Sequence, residues 1–168
     1  MKYGSFGGPA RRRVLAAAAG LLAVMAAVAA LLWVGRSDPD PAAINPGDPA
    51  QVTLGRRVYG EQCARCHGAN LEGQPDWRSR RADGKLPAPP HDASGHTWHH
   101  PDAVLLRITR DGTSAVVGGG YESDMPGFGG VLTDAEVRAV LAFIKSTWPD
   151  RERAIQERQS RAGDESSR

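Results

Sequence analysis

The sequence predicts a mostly α-helical fold: one small helical domain with long loops, preceded by a single transmembrane helix. Three observations predict it. An uncharged run of 21 residues, Val14 to Val34, follows a basic N-terminus. Two capping patterns, Asp48-Pro49-Ala50-Gln51 and Thr133-Asp134-Ala135-Glu136, each open a stretch with apolar residues at helical spacing. The remaining stretches are rich in Gly and Pro, and none alternates apolar and polar residues as a half-buried strand would. With 168 residues, 40% of them hydrophobic, the chain has material for one core and for flanking segments outside it.

Residues 1–13 carry Lys2, Arg11, Arg12 and Arg13 and read as a cytoplasmic basic segment. Residues 14–34, VLAAAAGLLAVMAAVAALLWV, read as a transmembrane anchor or uncleaved signal. At about 1.5 Å per residue they span roughly 30 Å, the thickness of a bilayer core. Trp33 sits where an interfacial aromatic belongs. A cleaved signal peptide is the competing reading, because Ala27-Val28-Ala29 offers a small-residue cleavage pattern. Both readings export everything after Gly35, and the anchored one gives a single-pass protein of the inner (cytoplasmic) membrane with its domain in the periplasm.

Residues 35–48 form a Pro-rich linker with Pro39, Pro41 and Pro46. The domain occupies residues 49–149. Its first helix starts at Pro49 behind the Asp48 cap, and Val52, Gly55, Val58, Tyr59 and Gln62 carry it into Cys63. A shorter helix over Pro101 to Arg110 presents Val104, Leu105 and Ile108 and is closed by Asp111-Gly112. The last helix follows the Thr133 cap, with Val137, Val140, Leu141, Ile144 and Trp148 on one stripe and Pro149 as its stop. Residues 150–168, DRERAIQERQSRAGDESSR, are almost wholly polar and read as a disordered tail. Loops as long as 68–100 and 113–132 are unusual around so thin a core, and a large apolar cofactor in their middle would account for them.

Charge excludes one class of partner. The formal charge of +2 comes from the four basic residues before position 35; beyond it 17 basic and 19 acidic residues leave −2, so the basic character is no footprint of nucleic acid.

The chain has two cysteines, and they stand in Cys63-Ala64-Arg65-Cys66-His67, the C-x-x-C-H attachment signature of c-type haem. Two thiols on one turn can each form a thioether to a vinyl group, and the histidine that follows is placed to bind the iron. A thioredoxin-like pair would follow a strand within a βαβ unit, whereas these cysteines follow a helix. A structural zinc site needs four ligands, and there is no second cysteine pair.

These residues give the chain a resemblance to the class I c-type cytochrome family, in its membrane-anchored, monohaem, bacterial form. The resemblance covers about a hundred residues: an N-terminal helix with Gly55 and Tyr59, CARCHG at 63–68, a proline-containing loop, a methionine loop and a last helix with Phe143. It implies a helical domain wrapped around one covalent haem c, with the first and last helices crossing at Gly55, Tyr59 and Phe143. It implies His67 and Met125 as the axial ligands of the haem iron, Met125 lying in Asp124-Met125-Pro126-Gly127-Phe128. It also implies that the carbonyl of Pro89 or Pro90 accepts from the other ring nitrogen of His67. Trp77, Leu86, Trp98, Leu105, Tyr121 and Phe128 are the candidates for packing on the haem, and Arg78, Arg80, Arg81 and Lys85 for reaching a propionate.

Four histidines, His91, His96, His99 and His100, crowd into residues 87–102. They are read as helix-capping, haem-packing or solvated residues, with a copper-type metal site or distal ligation as alternatives. With both axial positions filled, the expected function is one-electron transfer without a small-molecule substrate. The expected partners are a quinol-oxidising complex and a terminal oxidase or dehydrogenase. A haem-based ligand sensor or peroxidase-like protein, and a metal-handling subunit of an oxidase assembly, are the alternatives.

Overall fold

The structure is a computed structural model, and it describes residues 18, 20, 22–28 and 43–166. The chain divides into two units, residues 1–40 and 41–168. In the first, residues 22–28 are helical and exposed. Among the described residues no helix is long and apolar enough to cross a membrane; the basic segment 1–13 and most of the anchor expected at 14–34 and of the linker expected at 35–48 lie outside them.

The second unit is helical, with no strand among its described residues. Its elements are α1 (Pro49–Gln62), α2 (Ala64–His67), a 3₁₀ turn (Thr97–His99), α3 (Asp102–Asp111), α4 (Thr113–Val117), α5 (Asp134–Ser146) and α6 (Asp150–Ser166). The end of the expected linker belongs to the fold: Ile44 packs on the core, and Asn45 N–H donates to Gln51 Oε1 at 2.7 Å. Asp48 caps α1 by accepting from Ala50 N–H at 2.9 Å. The Thr133–Glu136 capping box is present in both directions at the start of α5, as its spacing predicts.

The core lies where α1 crosses α5. A Cβ at Gly55 would stand 1.9 Å from the Ala139 carbonyl oxygen, so only glycine lets the two backbones meet. One turn on, Tyr59 and Phe143 pack with ring centroids 5.4 Å apart. Val58, Val137, Val140 and Trp148 are fully enclosed around this crossing. Trp148 also donates its indole N–H to the His91 carbonyl at 2.7 Å, which ties the end of the core to the histidine-rich loop.

Residues 150–166 are a helix, where the composition points to a disordered tail. Polar groups hold it down. Gln156, with 0% exposure, donates through Nε2 to Asp102 Oδ1 (2.6 Å) and to the His100 carbonyl (3.2 Å). Lys145, itself buried, grips both oxygens of Asp102 at 2.8 and 3.0 Å. Ser160 Oγ accepts from the Asp102 backbone N–H at 3.0 Å. A tally of apolar residues does not register a docking surface made of hydrogen bonds.

Candidate functional site

α1 ends by handing the chain directly into the cysteine turn. Cys63 N–H donates to the Tyr59 carbonyl and His67 N–H to the Cys63 carbonyl, each at 2.9 Å, so both cysteines and the histidine share a single turn of helix. Tyr59 locks the far side of that turn, its hydroxyl donating to the Gly68 carbonyl at 2.8 Å. Burial, followed by the nearby Cys63, Glu72 and Asp92, pushes the phenol pKa upward, so Tyr59 stays a neutral donor.

The His67 ring is oriented by Pro89, whose carbonyl lies 2.8 Å from Nδ1. A carbonyl can only accept, so Nδ1 carries the proton and Nε2 keeps its lone pair. Burial holds the imidazole below its ordinary pKa, against the opposing pull of the Pro89 carbonyl, and so keeps that lone pair available. Pro89, rather than Pro90, is thus the orienting proline. Behind His67 the His91 ring stacks at 4.0 Å, with its own Nδ1 2.8 Å from Thr97 Oγ1. Burial first, then His67 and His96, hold His91 well below its ordinary pKa.

The methionine loop is pinned to the end of α3. Phe128 N–H donates to the Thr109 carbonyl and Gly129 N–H to the Arg110 carbonyl, both at 2.9 Å. Gly112, at φ +86°, is where a Cβ would come within 2.8 Å of Gly127 N, so the loop comes too close for any side chain there. Asp124 anchors the other end through Arg81 and through Lys85 at 2.6 Å. Thr113 Oγ1 donates to the Met125 sulfur at 3.3 Å.

These parts surround one cavity of about 300 Å³, lined by Cys63, Cys66, His67, Pro89, Tyr121, Met125 and Phe128 together. Every cofactor-binding residue expected from the sequence is therefore in one place. Leu86, Leu105, Ile108, Val140, Leu141 and Ile144 complete apolar walls that suit a flat hydrophobic macrocycle. The thiols suit it too. Burial, then the neighbouring Cys66, pushes the Cys63 pKa up to about 11, a site that disfavours a thiolate and accommodates an uncharged thioether sulfur.

Not all secondary candidates converge. Trp77 and Arg81 line the cavity, whereas Trp98, Arg78, Arg80 and Lys85 do not. Trp98 turns away to stack on His99 at 3.7 Å and to donate to the Ala93 carbonyl. Arg78 lies over the Trp77 ring, Arg80 bonds the Gly84 carbonyl, and Lys85 is held by Asp124. His91, His96 and His100 line the cavity, and His99 does not. Among the described residues no three His, Cys, Asp or Glu side chains gather as a metal site. Sequence reasoning missed Thr113, which opens the short α4 12 positions before Met125 and carries no signal of its role.

Neither the curated proteins nor the solved structures yield a match. The family model that does match is cytochrome c, over residues 52–148, more than half of the chain. That span contains the whole cavity, all of α5 and all but the first turn of α1. A cytochrome c domain is a haem-based electron-transfer module, and the lone C-x-x-C-H turn provides for one covalent haem c. The matched span, the α1–α5 crossing and the cysteine–histidine turn agree, and the chain belongs to the cytochrome c family.

Proposed function

We propose that the protein is a membrane-anchored class I cytochrome that carries single electrons on the periplasmic side, with His67 and Met125 as the two axial ligands of its haem iron. The observation that carries this reading is that Met125 and His67 line the same cavity as both cysteines. The haem supplies reversible one-electron storage when bound. The chain's own residues do the rest. Pro89 holds the His67 ring with Nε2 free, Thr113 holds the Met125 sulfur, and the apolar walls exclude water.

A thioether ligand is soft and favours the ferrous state, so this pair suits a carrier of relatively high potential. Filling both axial positions leaves no open site for a substrate. The partners would be a quinol-oxidising complex on one side and a terminal oxidase or dehydrogenase on the other, met in brief encounters over a small interface. Residues 53–149 hold 11 basic and 11 acidic side chains, so recognition depends on local patches rather than on net charge. The uncharged run 14–34 behind Arg11, Arg12 and Arg13 supports the tether, which would concentrate the domain near membrane enzymes.

The test is an optical spectrum of the membrane-extracted protein with a search for the weak near-infrared methionine-to-iron band. The band should be present in the wild type and absent in Met125→Ala, which opens to carbon monoxide when reduced. A wild-type protein that is already high-spin, or that binds carbon monoxide readily, overturns the carrier reading in favour of sensing or catalysis.

A further inference from the structure

Several hydrogen-bond donors around the cavity are already committed within the chain. Thr113 donates to Met125, Thr109 Oγ1 to the Leu105 carbonyl at 2.8 Å, and His91 is paired with Thr97; Arg81 is tied to Asp83 and Asp124. One wall is different. His96 and His100 both line the cavity, and among the described residues their rings meet other rings rather than hydrogen-bond partners. Trp77 stacks on His96 with centroids 5.3 Å apart and planes 15° apart, and His100 meets His96 edge-on at 5.4 Å. The Trp77 indole N–H is likewise uncommitted, and Arg78 lies over that ring at 4.0 Å. His96 is exposed and His100 half-buried, so this wall stands at the mouth of the cavity.

Haem c is asymmetric: its two thioether-forming substituents lie towards one edge, and its two propionate carboxylates towards the opposite one. Gln62 and Arg65, also free to donate, flank Cys63 and Cys66 and therefore belong to the thioether edge. Tyr121 stands in the methionine loop beneath Arg80. We infer that Trp77, His96 and His100 form the seat of the haem propionates, and that protonation of the two imidazoles is linked to the redox state of the haem. This rests on attachment of haem at Cys63 and Cys66, not on Met125 being the sixth ligand.

The linkage follows from charge. The groups facing the pair are His91, His99 and Arg78 around His96, and His99 beside His100; Gln156, on α6, joins the His100 carbonyl to Asp102 and Lys145. Burial first, then His100, His99 and Arg78, holds the His96 imidazole below its ordinary pKa, and burial first, then His99, does the same to His100. A carboxylate at hydrogen-bond distance acts in the opposite sense and raises the proton affinity. Oxidation adds one positive charge to the haem and lowers that affinity again. The pKa of the pair is therefore lower in the ferric than in the ferrous protein. The reduction potential is highest below both values, falls as pH rises between them, and is level above.

Potentiometric titration of the full-length holoprotein between about pH 5 and 8, the range in which histidine changes charge, tests this. The wild-type potential should fall with rising pH; a tenfold difference in proton affinity between the two states corresponds to about 59 mV in all. The His96→Gln/His100→Gln double variant should lose this fall. A flat wild-type profile, or an undiminished fall in the double variant, overturns the proposal. Should the double variant fail to load haem, proton NMR titration of the wild-type histidines in both oxidation states decides: a lower pKa for His96 or His100 in the oxidised protein supports the seat, and equal values sink it. The near-infrared band, recorded on the same samples, reports separately on Met125.

Discussion

At the residue scale the site is a set of neutral sulfur and nitrogen donors held by single hydrogen bonds. His67 is aimed by one carbonyl, and Met125 by one hydroxyl. With Met125 bound to the iron as proposed, that hydroxyl withdraws electron density from the sulfur and makes the thioether a weaker donor to ferric iron. Thr113→Val should therefore lower the reduction potential while the near-infrared methionine band remains. The shift should not exceed the worth of one hydrogen bond, about 1 kcal/mol. Potentiometry beside the optical spectrum checks it, and an unchanged potential would show that Thr113 only packs against the loop. Cys63, Cys66 and His67 were legible from spacing alone, because one helical turn dictates their geometry. Pro89 was legible only as one of two adjacent prolines, since the choice depends on how a loop 22 residues away folds back onto the ring.

At the element scale the first and last helices of the family domain are held by contact at Gly55. Adding one methyl group drives a carbon into the Ala139 carbonyl, with Phe143 Cβ only 2.9 Å away, and α1 and α5 must move apart. Gly55→Ala should destabilise the holoprotein by about 1–3 kcal/mol, the usual cost of overpacking a tight contact. It should lower the denaturant midpoint while leaving the cysteine turn able to attach haem; an unaltered midpoint would mean that the crossing is looser than it stands here. The helix starts were legible because a cap and its partner lie within four residues of each other. The short α4, the ordering of Ile44 onto the core, and α6 were not, because each depends on a surface supplied by distant parts of the chain.

For the whole molecule, the proposed anchor and the redox domain are separate pieces of physics. The full chain should sediment with membranes, while a chain beginning at residue 35 with a substitute export signal should be soluble and show the same haem spectrum. A protein recovered wholly in the soluble fraction with all 168 residues uncleaved would rule out the tether, and one whose N-terminus begins just after Ala27-Val28-Ala29 would mark that region as a cleavage site.

By itself the sequence determined the covalent chemistry and the local helix starts, C-x-x-C-H and the caps at Asp48 and Thr133, whereas α5 ends at Ser146, short of Trp148 and of the stop expected at Pro149. Tertiary structure alone decided the orienting proline, the removal of Trp98 and three basic side chains from the cavity, the Thr113–Met125 contact and the order of residues 150–166. The division has one physical reason. Attachment and capping act within a turn or two of chain, where spacing is geometry, whereas second partners and polar docking networks form only where remote segments meet.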